Sequence, residues 1–408
     1  MIERRKFLEQ IEQRLDWSPV VALLGARQVG KTTLARQFVS GREAHFFDLE
    51  SPATQELMQE PKTRLDPLKG LVVLDEAQRI PQLFPLLRVL ADRRPLPARF
   101  LILGSASPWL MKGITESLAG RVSFIDVPGL ALTEVGVEQV QHLWWRGGYP
   151  RAYLAGSDAE ARQWQEDLER TVMERDLAVV APNLAPAAMR RFWSMVAHYH
   201  GQTWNSSEIA RSLNLTDKVA RQYLDAFTAM YLVRQLPPWF ENVGKRQVKA
   251  PKVYLRDPGV LHGLLHLESR QRLEEHPKVG ASWEGFALEQ VLGVTGDRDA
   301  YFWATHNGAE LDLLVVWQGK RVGFEFKYGD APGLTKSMHI ALADLKLDQL
   351  FVVYPGSQSF TLGPKAELVS IQHLPARLQE FAAAGGREGN TDPASLSKRQ
   401  PTRDHDAT

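Results

Sequence analysis

Gly25-Ala26-Arg27-Gln28-Val29-Gly30-Lys31-Thr32 is a complete phosphate-binding loop, with Thr33 directly after it. Glycine at its two fixed positions lets backbone N–H groups converge on phosphate oxygens, and a following helix adds the positive end of its dipole. In such a loop Lys31 reaches the β- and γ-phosphates and the Thr32 hydroxyl ligates Mg²⁺. A second group completes the chemistry. Leu71-Val72-Val73-Leu74-Asp75-Glu76 is an apolar run ending in two acids. Asp75 is placed to hold Mg²⁺ through water and Glu76 to polarise an attacking water. Further on, Ser105 closes the apolar run Phe100-Leu101-Ile102-Leu103-Gly104, where a side chain could sense the γ-phosphate or the water. Arg121 precedes another strand and could place its charge on a neighbouring subunit's γ-phosphate. A guanine-specificity pattern, Asn/Thr-Lys-x-Asp, is absent from the sequence.

These residues need a parallel sheet behind them. Val20–Leu24, Ala44–Leu49, Leu71–Leu74, Arg99–Leu103 and Val122–Val127 read as strands, several continuously apolar as strands covered on both faces are. Helical patterns alternate with them, Thr33–Val39 among these, which is the signature of an α/β layer fold. With 408 residues the chain has room for roughly two to four domains. Cysteine is absent, which excludes disulfides and thiolate metal sites, and the net charge of +1 denies the chain a global basic field. No apolar run approaches membrane-spanning length, and the charged N-terminus lacks the apolar stretch of a signal peptide, so a cytoplasmic protein is expected.

The motifs together resemble a known family. Gly25–Thr32, Val72–Gln78, Leu103–Ser107, Ser117–Arg121 and Gly147-Gly148-Tyr149-Pro150 are similar to segments of bacterial and archaeal AAA-type ATPases whose C-terminal half is the domain called DUF4143. Lys252–Gly259 resembles a segment that usually reads Asp-Thr/Ser-Gly in that family; here Pro258 departs from it. The resemblance implies ATP and Mg²⁺ as cofactors, strengthens Arg121 as an arginine finger, and implies assembly into a homo-oligomer.

Downstream, Ser206–Leu213 reads as a capped helix, Asn214-Leu215-Thr216 as a turn, and Asp217–Met230 as a second helix with Val219, Ala220, Tyr223, Leu224 and Phe227 inward. Strand-like segments follow at Leu232–Gln235 and Lys252–Leu255, giving a winged helix-turn-helix layout. Lys218, Arg221 and Gln222, with Lys245, Arg246, Lys249 and Lys252 around the wing, could face DNA or RNA. The alternative is a lid or protein-docking module with its charges solvated.

A second constellation lies near the C-terminus. Glu310-Leu311-Asp312 opens a strand, Gly319-Lys320 turns it, and Arg321–Lys327 returns with Glu325 and Lys327 on one face. Asp312 stands thirteen residues before Glu325, and the upstream helix Trp283–Leu292 offers Glu289 or Glu284. This resembles the PD-(D/E)xK signature of restriction-endonuclease-like domains, in which Asp312 and Glu325 hold Mg²⁺ beside Lys327. The residues alone leave open an ion pair on a binding scaffold without turnover. His198, His200, His262 and His266 lack a complementary metal-ligand set and read as surface or capping histidines. Trp144, Trp145 and Tyr149 read as lid packing.

The expected division is therefore an AAA-type P-loop core at 1–135, a helical lid at 136–185, a winged helix-turn-helix at 186–256, a nuclease-like α/β domain at 257–382 and a disordered tail at 383–408. Two purposes fit it. One is an ATPase acting on, or signalling about, nucleic acid; the other is a signalling switch whose C-terminal half binds protein.

Overall fold

A computed structural model describes residues 2–105, 108–177, 186–241, 247–330 and 332–388. Strands β1 (Val20–Gly25), β2 (Ala44–Asp48), β3 (Gly70–Asp75), β4 (Ala98–Ser105) and β5 (Val122–Asp126) form one parallel sheet in the order β2-β3-β4-β1-β5. All six residues of β1 are buried, which explains its unbroken apolar sequence. Val21 and Leu23 enter a core on one face, while Val20, Ala22 and Leu24 enter a separate core on the other. Parallel pairing puts the ends of β1, β3 and β4 along one edge, and every chemical residue of the N-terminal half except Arg121 belongs to that edge.

Short helices Val140–Arg146 and Pro150–Tyr153 and the longer Asp158–Thr171 follow. Then comes a helical unit: Pro186–His198, Ser206–Leu213 and Asp217–Ala229. Asn205 caps the second of these by accepting from Glu208 N (3.3 Å), Asn214 ends it in the left-handed region, and Thr216 caps the third. Ala220, Tyr223, Leu224 and Phe227 are buried as the periodicity requires, and Val219 is half-buried. Strands β6 (Gln202–Thr203), β7 (Val233–Leu236) and β8 (Lys252–Leu255) form a small antiparallel sheet with β8 central. Lys245 and Arg246 lie outside the described residues.

The last sheet runs β13-β14-β12-β11-β10-β9, built from β9 (Ala300–Ala304), β10 (Glu310–Trp317), β11 (Lys320–Phe326), β12 (Gln349–Tyr354), β13 (Phe360–Gly363) and β14 (Ala366–Ser370). It is mixed: β11, β12 and β14 run parallel and the other pairs antiparallel. The β10–β11 turn is Gln318-Gly319, both at positive φ, so Lys320 opens the returning strand instead of turning it. The helix Val279–Thr295 packs on this sheet. The final helix, Leu374–Glu388, runs past 383, where the tail was expected to begin; residues 389–408 lie outside the described residues. No helix among the described residues is long and apolar enough to cross a membrane.

Asp257 links two segments 109 residues apart. Its carboxylate accepts from Gly148 N at 2.7 Å and from Val260 N at 2.9 Å, so it ties the Gly147-Gly148 turn while capping the helix Pro258–Leu264. Gly147 has φ +80°, and a Cβ there would meet Asp257 Oδ1 at 2.1 Å. Pro258, the departure from the family pattern, occupies the first turn of a helix, where no N–H is missed. Two of the four histidines depart from their expected surface placement. His198 and His266 are exposed, but His200 and His262 are buried, at 1% and 2% exposure. Burial holds their rings neutral, pushed down to about 3 and about 4. His200 Nδ1 accepts from Leu255 N at 3.0 Å, and His262 bridges Trp145 O and the Ser282 hydroxyl, to which Trp144 also donates.

Burial pushes the Asp257 carboxyl up to about 6. The folded chain therefore keeps a proton there that the unfolded chain has released. That contribution to stability is complete below the ordinary carboxylate range and is lost as pH rises through about 6. Asp257→Ala should lower stability by about 2–4 kcal/mol in urea titrations, and Asp257→Asn should flatten this part of the pH profile.

Candidate functional site

The loop leaves β1 at Gly25, whose path is fixed by contact: a Cβ there would lie 2.3 Å from Val127 O. Ala26 and Val29 are buried, Gln28 is exposed at φ 63°, and Gly30 precedes the helix Lys31–Val39. Thr33 is exposed on the first turn of that helix. Lys31 is buried and its ammonium donates to Gly25 O (3.1 Å) and Ala26 O (2.8 Å), across the mouth of its own loop. Burial raises the Asp75 carboxyl above its ordinary range, and hydrogen bonding by Thr32 acts to lower it, so the two expected Mg²⁺ residues are neighbours. Glu76 N donates to Asp75 Oδ1 at 3.0 Å. Glu76 itself sits at φ 54°, a costly conformation for glutamate that aims its carboxylate off the strand axis, where Gln78 donates to it. Ser105 pairs with Gly25 in the β1–β4 register, and its Oγ is a buried oxygen with no hydrogen-bond partner. Every feature of this edge fits a triphosphate with Mg²⁺.

Arg121 is elsewhere. It precedes β5 at the opposite end of the sheet, where its carbonyl accepts from Val20 N, and its guanidinium grips Asp92 at 2.7 and 2.8 Å. It cannot reach its own loop. The arginines near the loop are others. Glu50, just past β2, accepts from Arg79 and Arg175 at 2.7 Å each, with Arg27 of the loop 3.9 Å away. Hydrogen bonds from Arg175 and Arg79 hold the Glu50 carboxyl below its ordinary range.

The C-terminal constellation comes together in part. One step beyond the Leu313↔Phe324 register, Asp312 stands opposite Glu325, and both are buried. Asp312 Oδ2 accepts from Phe326 N at 3.0 Å, and Lys327 pairs with Glu325 Oε1 at 2.7 Å. Glu325 Oε2 is buried without a partner. The upstream acid is Glu284, not Glu289. Glu289 turns away to Arg234 (2.5 Å) and Arg256 (3.3 Å), which overcome its burial and hold it at about 2. Lys252 departs furthest from expectation. It is not a solvated wing residue but 5% exposed, pairing with Glu284 (2.9 Å), Glu310 (2.5 Å) and Asp312 (3.4 Å). Burial opposes its charge, yet these acids hold the ammonium well above the ordinary lysine range. Burial, and then the charge of Asp312, push the Glu284 and Glu325 carboxyls above theirs. Among the described residues no three acidic or histidine side chains are grouped to hold a metal ion.

Residues 18–136 match the family model described as an AAA domain, and 137–271 and 279–374 match domains of unknown function, DUF8612 and DUF4143. Over 362 residues the chain is 48% identical to the uncharacterized protein Rv2008c of Mycobacterium tuberculosis, covering 89% of this chain and 82% of that protein. The figures are the same for uncharacterized protein Mb2031c of Mycobacterium bovis. This chain belongs to that family of AAA-domain proteins with a DUF4143 domain. Among solved structures it is similar to the Walker-type ATPase PABY2304 of Pyrococcus abyssi, at 16% identity over 65% of this chain and 96% of that one, TM-score 0.47.

Motif reading of the AAA protein passed over Arg4. Buried at 4% exposure, it donates to Pro128 O and Gly129 O at 3.1 Å and to Val29 O at 3.4 Å, and pairs with Glu134 at 2.6 Å. It therefore braces the loop from behind. No motif marks it; the only hint is an arginine just ahead of an amphipathic helix. Arg4→Ala should weaken nucleotide binding roughly tenfold in a fluorescent-analogue titration. Arg5→Ala, which removes a surface pair with Glu3, should leave binding unchanged.

Proposed function

We propose that the AAA half is a Mg²⁺-dependent ATPase, carried above all by the Thr32–Asp75 contact beside an unpartnered Ser105 Oγ. Bound Mg²⁺–ATP supplies the γ-phosphoryl group and the counter-charge for its departure. Lys31 leaves the carbonyls of Gly25 and Ala26 to meet the β- and γ-oxygens. The loop N–H groups from Ala26 to Thr33 face the phosphates. Thr32 and Asp75 hold the ion's side of the site, Asp75 through water. Glu76 orients the attacking water and receives its proton, and Ser105 donates toward the γ-phosphate or that water. Arg121 contributes only across a subunit interface of a homo-oligomer.

The C-terminal half is read as a winged helix-turn-helix followed by a restriction-endonuclease-like domain, coupled to ATP turnover and acting on or signalling about DNA or RNA. Lys218, Arg221 and Gln222 are exposed on the helix Asp217–Ala229 and Lys249 beside β8, which supports a nucleic-acid face. A second reading, a switch whose C-terminal half binds protein without cutting nucleic acid, is favoured by one observation: the acids near Asp312 are not grouped to hold a metal.

Lys31→Ala should abolish ATP binding. Glu76→Gln should still bind ATP but hydrolyse it about 10²–10⁴-fold more slowly, and turnover at the wild-type rate would remove Glu76 from its role. Measuring hydrolysis with and without DNA or RNA separates the two readings. Stimulation, with Mg²⁺-dependent cleavage lost in Glu325→Ala or Lys327→Ala, supports the first. No binding at low salt and no change in rate leave the second.

A further inference from the structure

Around Asp312 the charges do not match those of an open divalent-cation site. Glu284 from a helix and Glu310 and Asp312 from β10 all lie within ion-pair distance of one ammonium, that of Lys252. Lys252 opens β8, and Tyr254, two residues on along the same face, donates to the Glu284 oxygen that Lys252 holds. Both oxygens of Asp312 are engaged, one by Lys252 and the other by Phe326 N. The strand carrying the lysine is paired on both sides, with Thr203 and with Leu236 opposite Lys252, so the ammonium is fixed by backbone as well as by charge. A divalent ion placed between Glu284 and Asp312 would stand within a few ångströms of that ammonium, and like charges at that distance repel strongly inside a protein.

We propose that Lys252 is the resident cation of this centre, standing where a divalent ion would otherwise bind, so that the C-terminal half keeps a nuclease-like constellation without holding metal. The proposal rests on reading Asp312, Glu325 and Lys327 as that constellation. The lysine comes from the small sheet of the helix-turn-helix unit and the acids from the C-terminal half, so the centre works as a joint between them. Glu325 Oε2, buried and unpartnered on the far side of Asp312, is the remaining acceptor that the lysine does not reach.

Mn²⁺ binding to the full-length, nucleotide-free chain, read by electron paramagnetic resonance, tests this. Wild type should bind Mn²⁺ at least about tenfold more weakly than Lys252→Met, and Lys252→Met/Asp312→Asn should lose the gained site. Wild type binding Mn²⁺ as tightly as Lys252→Met at an Asp312-dependent site overturns the proposal while leaving the nuclease-like reading intact. If neither protein binds Mn²⁺, the proposal and that reading fall together. Because Lys252→Met removes a buried charge, its fold is checked by circular dichroism, and a second measurement uses wild type alone. Reductive methylation followed by mass spectrometry should modify exposed Lys249 at least tenfold faster than Lys252, with or without Mn²⁺; equal rates, or release of Lys252 by Mn²⁺, would overturn the assignment.

Discussion

One buried carboxylate ties the Gly147-Gly148 turn to the helix Pro258–Leu264. Asp257 accepts a backbone N–H from that turn and another from its own helix, and Gly147 is shaped around it. The turn lies against the loop: Pro150, at the end of Gly-Gly-Tyr-Pro, is the nearest group to Gly30, 3.6 Å from where a Cβ would be. The Gly147–Pro150 turn thus lies between Asp257 and the phosphate loop. A continuous hydrophobic core runs from the helix Arg5–Trp17 through the helices Val140–Arg146 and Asp158–Thr171 to one face of the last sheet.

The N-terminal site was legible because its chemistry is local. Loop, acids and serine each end a strand, and a parallel sheet brings strand ends together whatever the intervening helices contain. Apolar runs therefore placed all five strands to within about two residues, and with them Lys31, Thr32, Asp75, Glu76 and Ser105. Arg121, expected to act on a neighbouring subunit, precedes a strand and so belongs to the other edge, away from its own loop.

The C-terminal centre was legible only along its own hairpin. Alternation put Glu325 and Lys327 on one face, but a turn at Gly319-Lys320 would set Asp312 opposite Lys327; the observed turn at Gln318-Gly319 sets it opposite Glu325. The choice between Glu284 and Glu289 was beyond local pattern, because the two are about 140° apart around a helix that is apolar on most sides. Only the tertiary partners decide: Arg234 and Arg256 take one, Lys252 and Tyr254 the other. Lys252 itself looked like any basic residue of a surface hairpin. Nothing in a sequence distinguishes a solvated lysine from one whose counter-ions arrive from 32 and 60 residues away.

The path of Gly25 bears on how such chains diverge. Its lack of a side chain is demanded by the carbonyl of Val127, a feature of the sheet's own construction, before any phosphate arrives. A descendant that abandoned catalysis would lose Glu76, held at φ 54°, at little cost to folding but would still be selected to keep this glycine. Persistence of the first loop residue is thus a record of architecture, and only the polar residues around it record whether the chemistry survived.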